Sequence, residues 1–317
     1  MGFGLFATED IAFGETILIE RPLVAIPKNI GVAFNISRTG LTADHWHTLC
    51  MDEGEKLLRL ALERMNEEDQ TLFRSLCNTS AENPGRRPLI SILVCNAMNL
   101  ELKDAPEAQS FGSGYVGIPR MGSRINNRWV FLTSMIKLTL SLIRLFSCSP
   151  NAVFDFEPES FCVLYTATRD IKAGEQIFLG YFPATATLAQ RREGMARYRF
   201  ICQCGPCANW TEDSDKLRIT YNQRITNLVH RSITLGNTYP AQELLGTALG
   251  LKAELEAEGL DSEPRFSEVW IVLQTLYQRL GNVKEMKECQ KRIERYSTFP
   301  GYQKALRQAQ LGFKGMS

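Results

Sequence analysis

The chain has 317 residues, 22% of them charged, with a formal net charge of +1 at pH 7. Its length accommodates two domains on the usual prior of roughly 100–200 residues each, and so even a charge balance gives no electrostatic case for direct nucleic-acid binding. Nine cysteines, three of them crowded into "CQCGPC", favour metal binding over a disulfide framework in a reducing compartment.

The opening "MGFGLFATED" has no basic stretch followed by an apolar core, and Phe6 stands where a myristoylation signal needs Ser or Thr. The expected location is the nucleus and/or the cytoplasm. Residues 3–26 hold two apolar runs around Phe13-Gly14-Glu15, read as two strands joined by a turn. Residues 42–77 change to a helical pattern, with Leu57, Leu60, Ala61 and Met65 near helical spacing and an Asn66-x-x-Asp69 start for a further helix. "NPGRRP" (83–88) breaks this pattern, and "LISILVCNAM" after it suits either a helix or a strand.

The run 129–146 is the membrane-span candidate. Lys137 and Arg144 oppose that reading, each costing about 2.5–3.5 kcal/mol near a bilayer centre, and no membrane association is expected. From Asn151 the alternation of β-branched and aromatic residues predicts three short strands, turning at Glu157-Pro158-Glu159 and Lys172-Ala173-Gly174. Beyond Cys207, apolar stripes over 215–235, 240–258, 264–280 and 282–296 predict an all-helical domain with units resembling helix–turn–helix repeats.

The most specific local signal is Cys202-x-Cys204-x-x-Cys207, where Gly205-Pro206 supplies a tight turn that lets three thiolates converge. A structural zinc needs a fourth ligand. Cys148 in "SCSPN" is the natural one, because Pro150 fixes a turn that can aim its side chain; Cys50, Cys77, Cys95, Cys162 and Cys289 sit in contexts suited to ordinary buried thiols. The Gly2-x-Gly4 pair near a strand start permits close approach of a ligand to the backbone, and Tyr181 ends an apolar strand. With His45, His47 and His230 as its three histidines, the chain shows no catalytic triad, and His45 and His47 read as surface residues of the helical stretch.

In order, "GFGLFATEDIAFGETILIERP", "SCSPNAVFDF", "TATRDIKAGEQIFLGYF" and "YRFICQCGPC" resemble the SET-domain protein lysine methyltransferases with a post-SET zinc motif. The nearest variety is the SET- and MYND-type group and its fungal relatives, although no MYND finger is visible, since 28–60 contains Cys50 alone. The resemblance implies an α+β fold: a SET-type β-clip of short sheets with a pseudoknot and a helical insert at about 42–102, within 1–182. A post-SET zinc segment over 183–212 and a helical, TPR-like domain over 213–317 would follow. It implies transfer of a methyl group from S-adenosyl-L-methionine to the ε-amine of a lysine in a protein substrate, histone or non-histone, by a monomer. Tyr181 matches the catalytic tyrosine. Gly2, Gly4, Leu5, Asn126, Asn127, Tyr181 and Phe200 match cofactor-binding positions, and Cys148, Cys202, Cys204 and Cys207 match the ligands of a structural Zn2+. The alternative is a catalytically inactive SET scaffold that binds a partner protein through its helical C-terminal domain.

One departure stands out. The family's Asn-His pair directly precedes Ser-Cys-x-Pro-Asn, whereas here Asn126-Asn127 is separated from Ser147 by nineteen residues, and Asn127 replaces the histidine. Deleting 128–146 restores "RINNSCSPNAVFDF". The genetic code permits splice signals at both ends and a branch site at Leu138-Thr139, so the expected reading is a translated intron; a family-specific helix and a membrane segment are its rivals. Comparing transcript with genomic DNA decides between them. Related proteins also have sequence before the Gly-x-Gly, so a truncated N-terminus is expected.

Overall fold

The computed structural model describes residues 4–76, 78, 87–101, 114–125, 148–180, 183–196, 201–234 and 238–297. The run 129–146 lies outside them, and among the described residues no helix is long and apolar enough to cross a membrane. Two compact units emerge. One comprises the described residues of 1–5, 18–138 and 154–164, the other those of 6–17, 139–153 and 165–317.

Near the start of the chain, β1 (Thr16–Glu20) and β2 (Pro22–Pro27) follow each other with Arg21 between them. A four-residue helix, α1 (Ile30–Ala33), leads to the long α2 (Ala43–Glu63). Thr42 starts α2 by accepting from the His45 amide at 3.2 Å, and Asp44 adds a favourable charge to its first turn. The buried positions Cys50, Gly54, Leu58 and Leu62 recur every four residues on one face. Gly54 admits close packing: a Cβ there would lie 2.7 Å from Ile30 Cδ1 and 2.9 Å from Ile90 Cδ1. As the Asn66-x-x-Asp69 pattern predicts, Asn66 caps α3 (Glu67–Arg74), accepting from the Asp69 amide at 2.8 Å.

The ambiguous "LISILVCN" is a helix, α4 (Pro88–Asn96). It has no side-chain cap of its own. Pro88 opens it with a preset φ, and the buried Glu55 of α2 accepts from the amides of Leu89 and Ile90 at 3.1 and 2.9 Å. Next come β3 (Met98–Glu101) and β4 (Gly114–Pro119). β4 is the centre of a three-stranded sheet in the order β2-β4-β3; Ala25 and Met98 both face Gly117 in antiparallel register. Val24, Ile26 and Ile118 share one core with Leu58, Leu62, Phe73 and Ile90. A second sheet has the order β1-β6-β5, with β5 at Ala152–Glu157 and β6 at Cys162–Ala167.

Two strand expectations change. The first apolar run makes isolated bridges, Phe6 to Gln176 and Ile11 to Ile171, because the Asp10 carboxylate interrupts the pairing by accepting from the Ala173 amide at 2.9 Å. The third strand after Asn151 likewise contributes bridges, Leu179 pairing with Ala152. Here the side chain of Asn151 replaces a ladder partner: its Nδ2 donates to the Gln176 carbonyl at 2.8 Å and its Oδ1 accepts from the Phe178 amide at 2.7 Å.

The second unit continues with α5 (Leu188–Ala196), the short α6 (Gly205–Ala208), α7 (Glu212–Val229), α8 (Ala241–Ala257), α9 (Phe266–Arg279) and α10 (Val283–Ser297). Thr211 caps α7 on the Ser214 amide at 3.1 Å, and the helix ends in a π turn at His230–Thr234. Apolar faces of α7, α8 and α9 meet in one core, with Tyr221, Ile225, Leu244, Ala248, Val269 and Leu276 essentially inaccessible. Phe13 enters the same core and sits edge-on to Tyr296, centroids 4.5 Å apart. His45 and His47 are exposed, as expected.

Candidate active site and metal centre

Four cysteines converge in the second unit. The sulfurs of Cys148, Cys202, Cys204 and Cys207 all lie within 4.8 Å of one another. Three come from one local construction: Cys204 is the N-cap of α6, and its carbonyl accepts from the amides of Cys207 and Ala208 at 2.9 and 2.8 Å, so one helical turn brings Cys207 back beside Cys204. Cys148 arrives from 59 positions before Cys207, its sulfur 3.5 Å from that of Cys207.

This donor set fits zinc. A tetrahedron with Zn–S bonds of about 2.3 Å has edges of about 3.8 Å, close to the separation seen here. Crowding also divides the thiols electrostatically. Hydrogen bonds from Cys148, Cys202 and Cys207 hold Cys204 far below the usual thiol range, and Cys207 is lowered to about 7, chiefly by Cys148. Cys148 itself is pushed far up by its hydrogen bonds with Cys202, Cys204 and Cys207. Four sulfurs this close are fully ionised together when a cation sits among them.

The "SCSPN" segment is anchored on both sides. Ser149 abuts Gly259 just past the end of α8: Gly259 has φ +66°, and a Cβ on it would lie 2.0 Å from Ser149 Oγ. Asn151 is fully buried; besides its side-chain bonds, its amide donates to the Phe178 carbonyl at 3.1 Å and its carbonyl accepts from Thr168 at 2.9 Å. Asn151 thus ties the turn that carries Cys148 to the strand that leads into Tyr181. On that strand the Gln176 side-chain Nε2 is buried with no hydrogen-bond partner among the described residues, an unmet donor of the kind a polar ligand satisfies.

Of the residues expected at the cofactor, Gly4 and Leu5 are described, both half-buried and immediately preceding Phe6, the partner of Gln176. Gly2, Asn126, Asn127, Tyr181 and Phe200 lie outside the described residues. Sequence reasoning missed the groups that fix the chain after Tyr181. Ala184 is held twice: its amide donates to Glu263 Oε1 at 3.2 Å, and its carbonyl accepts from Nη1 of Arg218. Arg218, wholly buried, also donates to Glu258 Oε2 at 2.8 Å, while burial raises the Glu263 carboxyl above its ordinary range. Nothing local signals these partners, since Arg218 lies in α7, 34 positions downstream, and Glu263 between α8 and α9, 79 positions downstream.

A family model described as "SET domain" matches residues 2–182, more than half of the chain. The chain belongs to the SET-domain family. The α+β architecture, small sheets followed by a helical region, accords with SET membership. Among curated proteins, the histone-lysine N-methyltransferase ASHR1 of Arabidopsis thaliana is 24% identical over 268 residues, covering 68% of this chain and 54% of its own length. The protein-lysine N-trimethyltransferase SMYD5 of Gallus gallus is 36% identical over 73 residues, 22% of this chain and 17% of its own length. The chain therefore spans about half or less of the curated SET relatives it matches. Family and relatives together support protein lysine methylation as the general activity of this SET group.

Proposed function

We propose that the chain transfers a methyl group from S-adenosyl-L-methionine to the ε-amine of a lysine in a protein substrate, with a structural zinc on Cys148, Cys202, Cys204 and Cys207. The observation that carries this reading is the SET match over 2–182; the convergence of the four cysteines supports the zinc. The substrate class is protein, since the relatives carry protein- and histone-lysine methyltransferase names.

Bound S-adenosylmethionine would supply an electrophilic methyl on a sulfonium. The chain must then align an amine in line with that methyl and keep the amine neutral, which partial desolvation and the neighbouring positive charge both favour. Such work needs few groups. Gly2 and Gly4 would let backbone approach the cofactor, Leu5, Asn126, Asn127 and Phe200 would help to hold it, and the phenol of Tyr181 would orient the amine. Asn151, Arg218 and Glu263 act on either side of Tyr181 as positioning residues, since each holds backbone within a few residues of it.

Substitution of Tyr181 by Phe tests the assignment. It removes one hydroxyl and is expected to abolish methyl transfer to a protein array while leaving the melting temperature and zinc content unchanged. Full activity in Tyr181→Phe removes Tyr181 from the reaction.

A further inference from the structure

The centre formed by Cys148, Cys202, Cys204 and Cys207 faces one side of α5. Thr187 and Gln190 start that helix with a reciprocal cap: the Thr187 amide donates to Gln190 Oε1 at 3.0 Å and the Gln190 amide to Thr187 Oγ1 at 3.3 Å. The cap sets the helix phase, and Leu188, Arg191 and Met195, at i, i+3 and i+7, share a face. Leu188 and Met195 form an apolar cluster with Cys202 and Cys207, against which Cys148 and Cys204 pack.

Between them lies a cation. Arg191 is 1% exposed, its Nη1 donates to the Ala186 carbonyl at 2.6 Å, its Nη2 donates to Cys207 Sγ at 3.8 Å, and its Nε is buried with no partner among the described residues. Among the described residues no carboxylate pairs with it. A guanidinium cannot shed its proton to escape burial, so in apolar surroundings this charge carries a large desolvation penalty unless an anion faces it. The group it does face is the cysteine centre, and four thiolates around one divalent ion carry a formal double negative charge.

We propose that Arg191 is the counter-charge of the cysteine centre, donating to the Cys207 thiolate, offsetting the excess negative charge and so retaining the metal. This rests on the zinc reading above. An N–H···S bond draws electron density from the sulfur and makes the thiolate a poorer nucleophile. Arg191 is thus a positioning residue for the centre and takes no part in methyl transfer.

The test uses the full-length, zinc-loaded chain. Arg191→Met keeps an apolar stem and removes the charge; transfer of zinc to a chromophoric chelator is expected to become about 10–100-fold more favourable. In the cobalt-substituted form the sulfur-to-metal charge-transfer bands move to longer wavelength. Arg191→Lys, which keeps the charge, recovers most of the retention. A folded Arg191→Met chain with unchanged retention and unchanged bands overturns the proposal. A measurement on the unaltered chain serves where the Met variant does not fold. Cys202 and Cys207 are almost equally buried, at 7% and 6% exposure, so with zinc bound iodoacetamide should modify Cys207 more slowly than Cys202; equal or reversed rates overturn the proposal. Zinc that is held with no effect of Arg191 removes this proposal alone, whereas an unaltered chain that holds no zinc removes the zinc reading and this proposal together.

Discussion

Replacing Cys148 by Ser removes the thiol that, among the described residues, reaches the cysteine centre from outside the 202–207 turn. The consequence is mechanical as well as chemical. With the metal bound, Cys148 and Cys207 are joined across 59 positions of chain, and closing a loop of that length restricts the unfolded chain by about 4 kcal/mol on a cross-link model. With an unfolding entropy of about 2.1 cal/mol/K per residue, each kcal/mol moves the melting midpoint of a chain of this size by about 1.5 °C, so Cys148→Ser should melt roughly 6 °C lower than the unaltered protein when both are saturated with zinc. Zinc content by mass spectrometry and melting with and without a chelator measure this directly. The half-buried Cys162, outside the centre, is the control, and Cys162→Ser should keep full zinc content. A Cys148→Ser chain that holds one zinc as tightly as the unaltered chain and melts with it refutes the assignment of Cys148 as fourth ligand.

Two further outcomes follow from the same surroundings. Gly259→Ala places a Cβ against Ser149 and in a left-handed backbone conformation; a loss of at least about 1 kcal/mol is expected from the backbone alone, and adding Ser149→Gly should restore the steric part but not the backbone part, as a double-mutant cycle in urea measures. Burial pushes the Asp261 carboxyl up to about 6 from an ordinary 3.8, with Glu256 reinforcing the rise. A raised carboxyl favours the folded state while protonated, so its contribution is fully present below about pH 4 and is lost as pH rises through about 6. Asp261→Asn should therefore stabilise the chain by on the order of 2–3 kcal/mol at pH 8 and by nothing at pH 3.5; a pH-independent effect contradicts the burial account.

The helical part was legible because its signal is local. Leu217, Tyr221, Ile225 and Leu228 repeat at helical spacing and are the apolar residues buried in α7. The cysteine centre was legible for a similar reason, since Cys202, Cys204 and Cys207 lie within six positions around one turn and Cys148 stands two residues before a proline. What escaped depends on distant partners. "LISILVCN" becomes a helix through a carboxylate 34 positions earlier, Glu55, which no window around Pro88 contains. The run after Gln176 looked like a full strand, and the polar side chain of Asn151 takes the backbone groups a neighbouring strand would have used. Arg191 lies in "AQRREGMA", a stretch with every appearance of a solvated surface, and its burial becomes visible only when Leu188 and Met195 are seen against the cysteines.

The split between Asn126-Asn127 and Ser147 bears on the proposed activity more than any other feature, because it interrupts the motif to which cofactor binding is assigned in the proposal while leaving Cys148 and Asn151 engaged with their partners. Calorimetric titration of S-adenosylmethionine into the full chain and into a form lacking 128–146 tests the account most directly. Methyltransferase function predicts one-to-one binding by the shorter form, with binding by the full chain weakened or lost if the segment is a translated intron; absence of binding by both forms contradicts it and leaves a catalytically inactive SET scaffold.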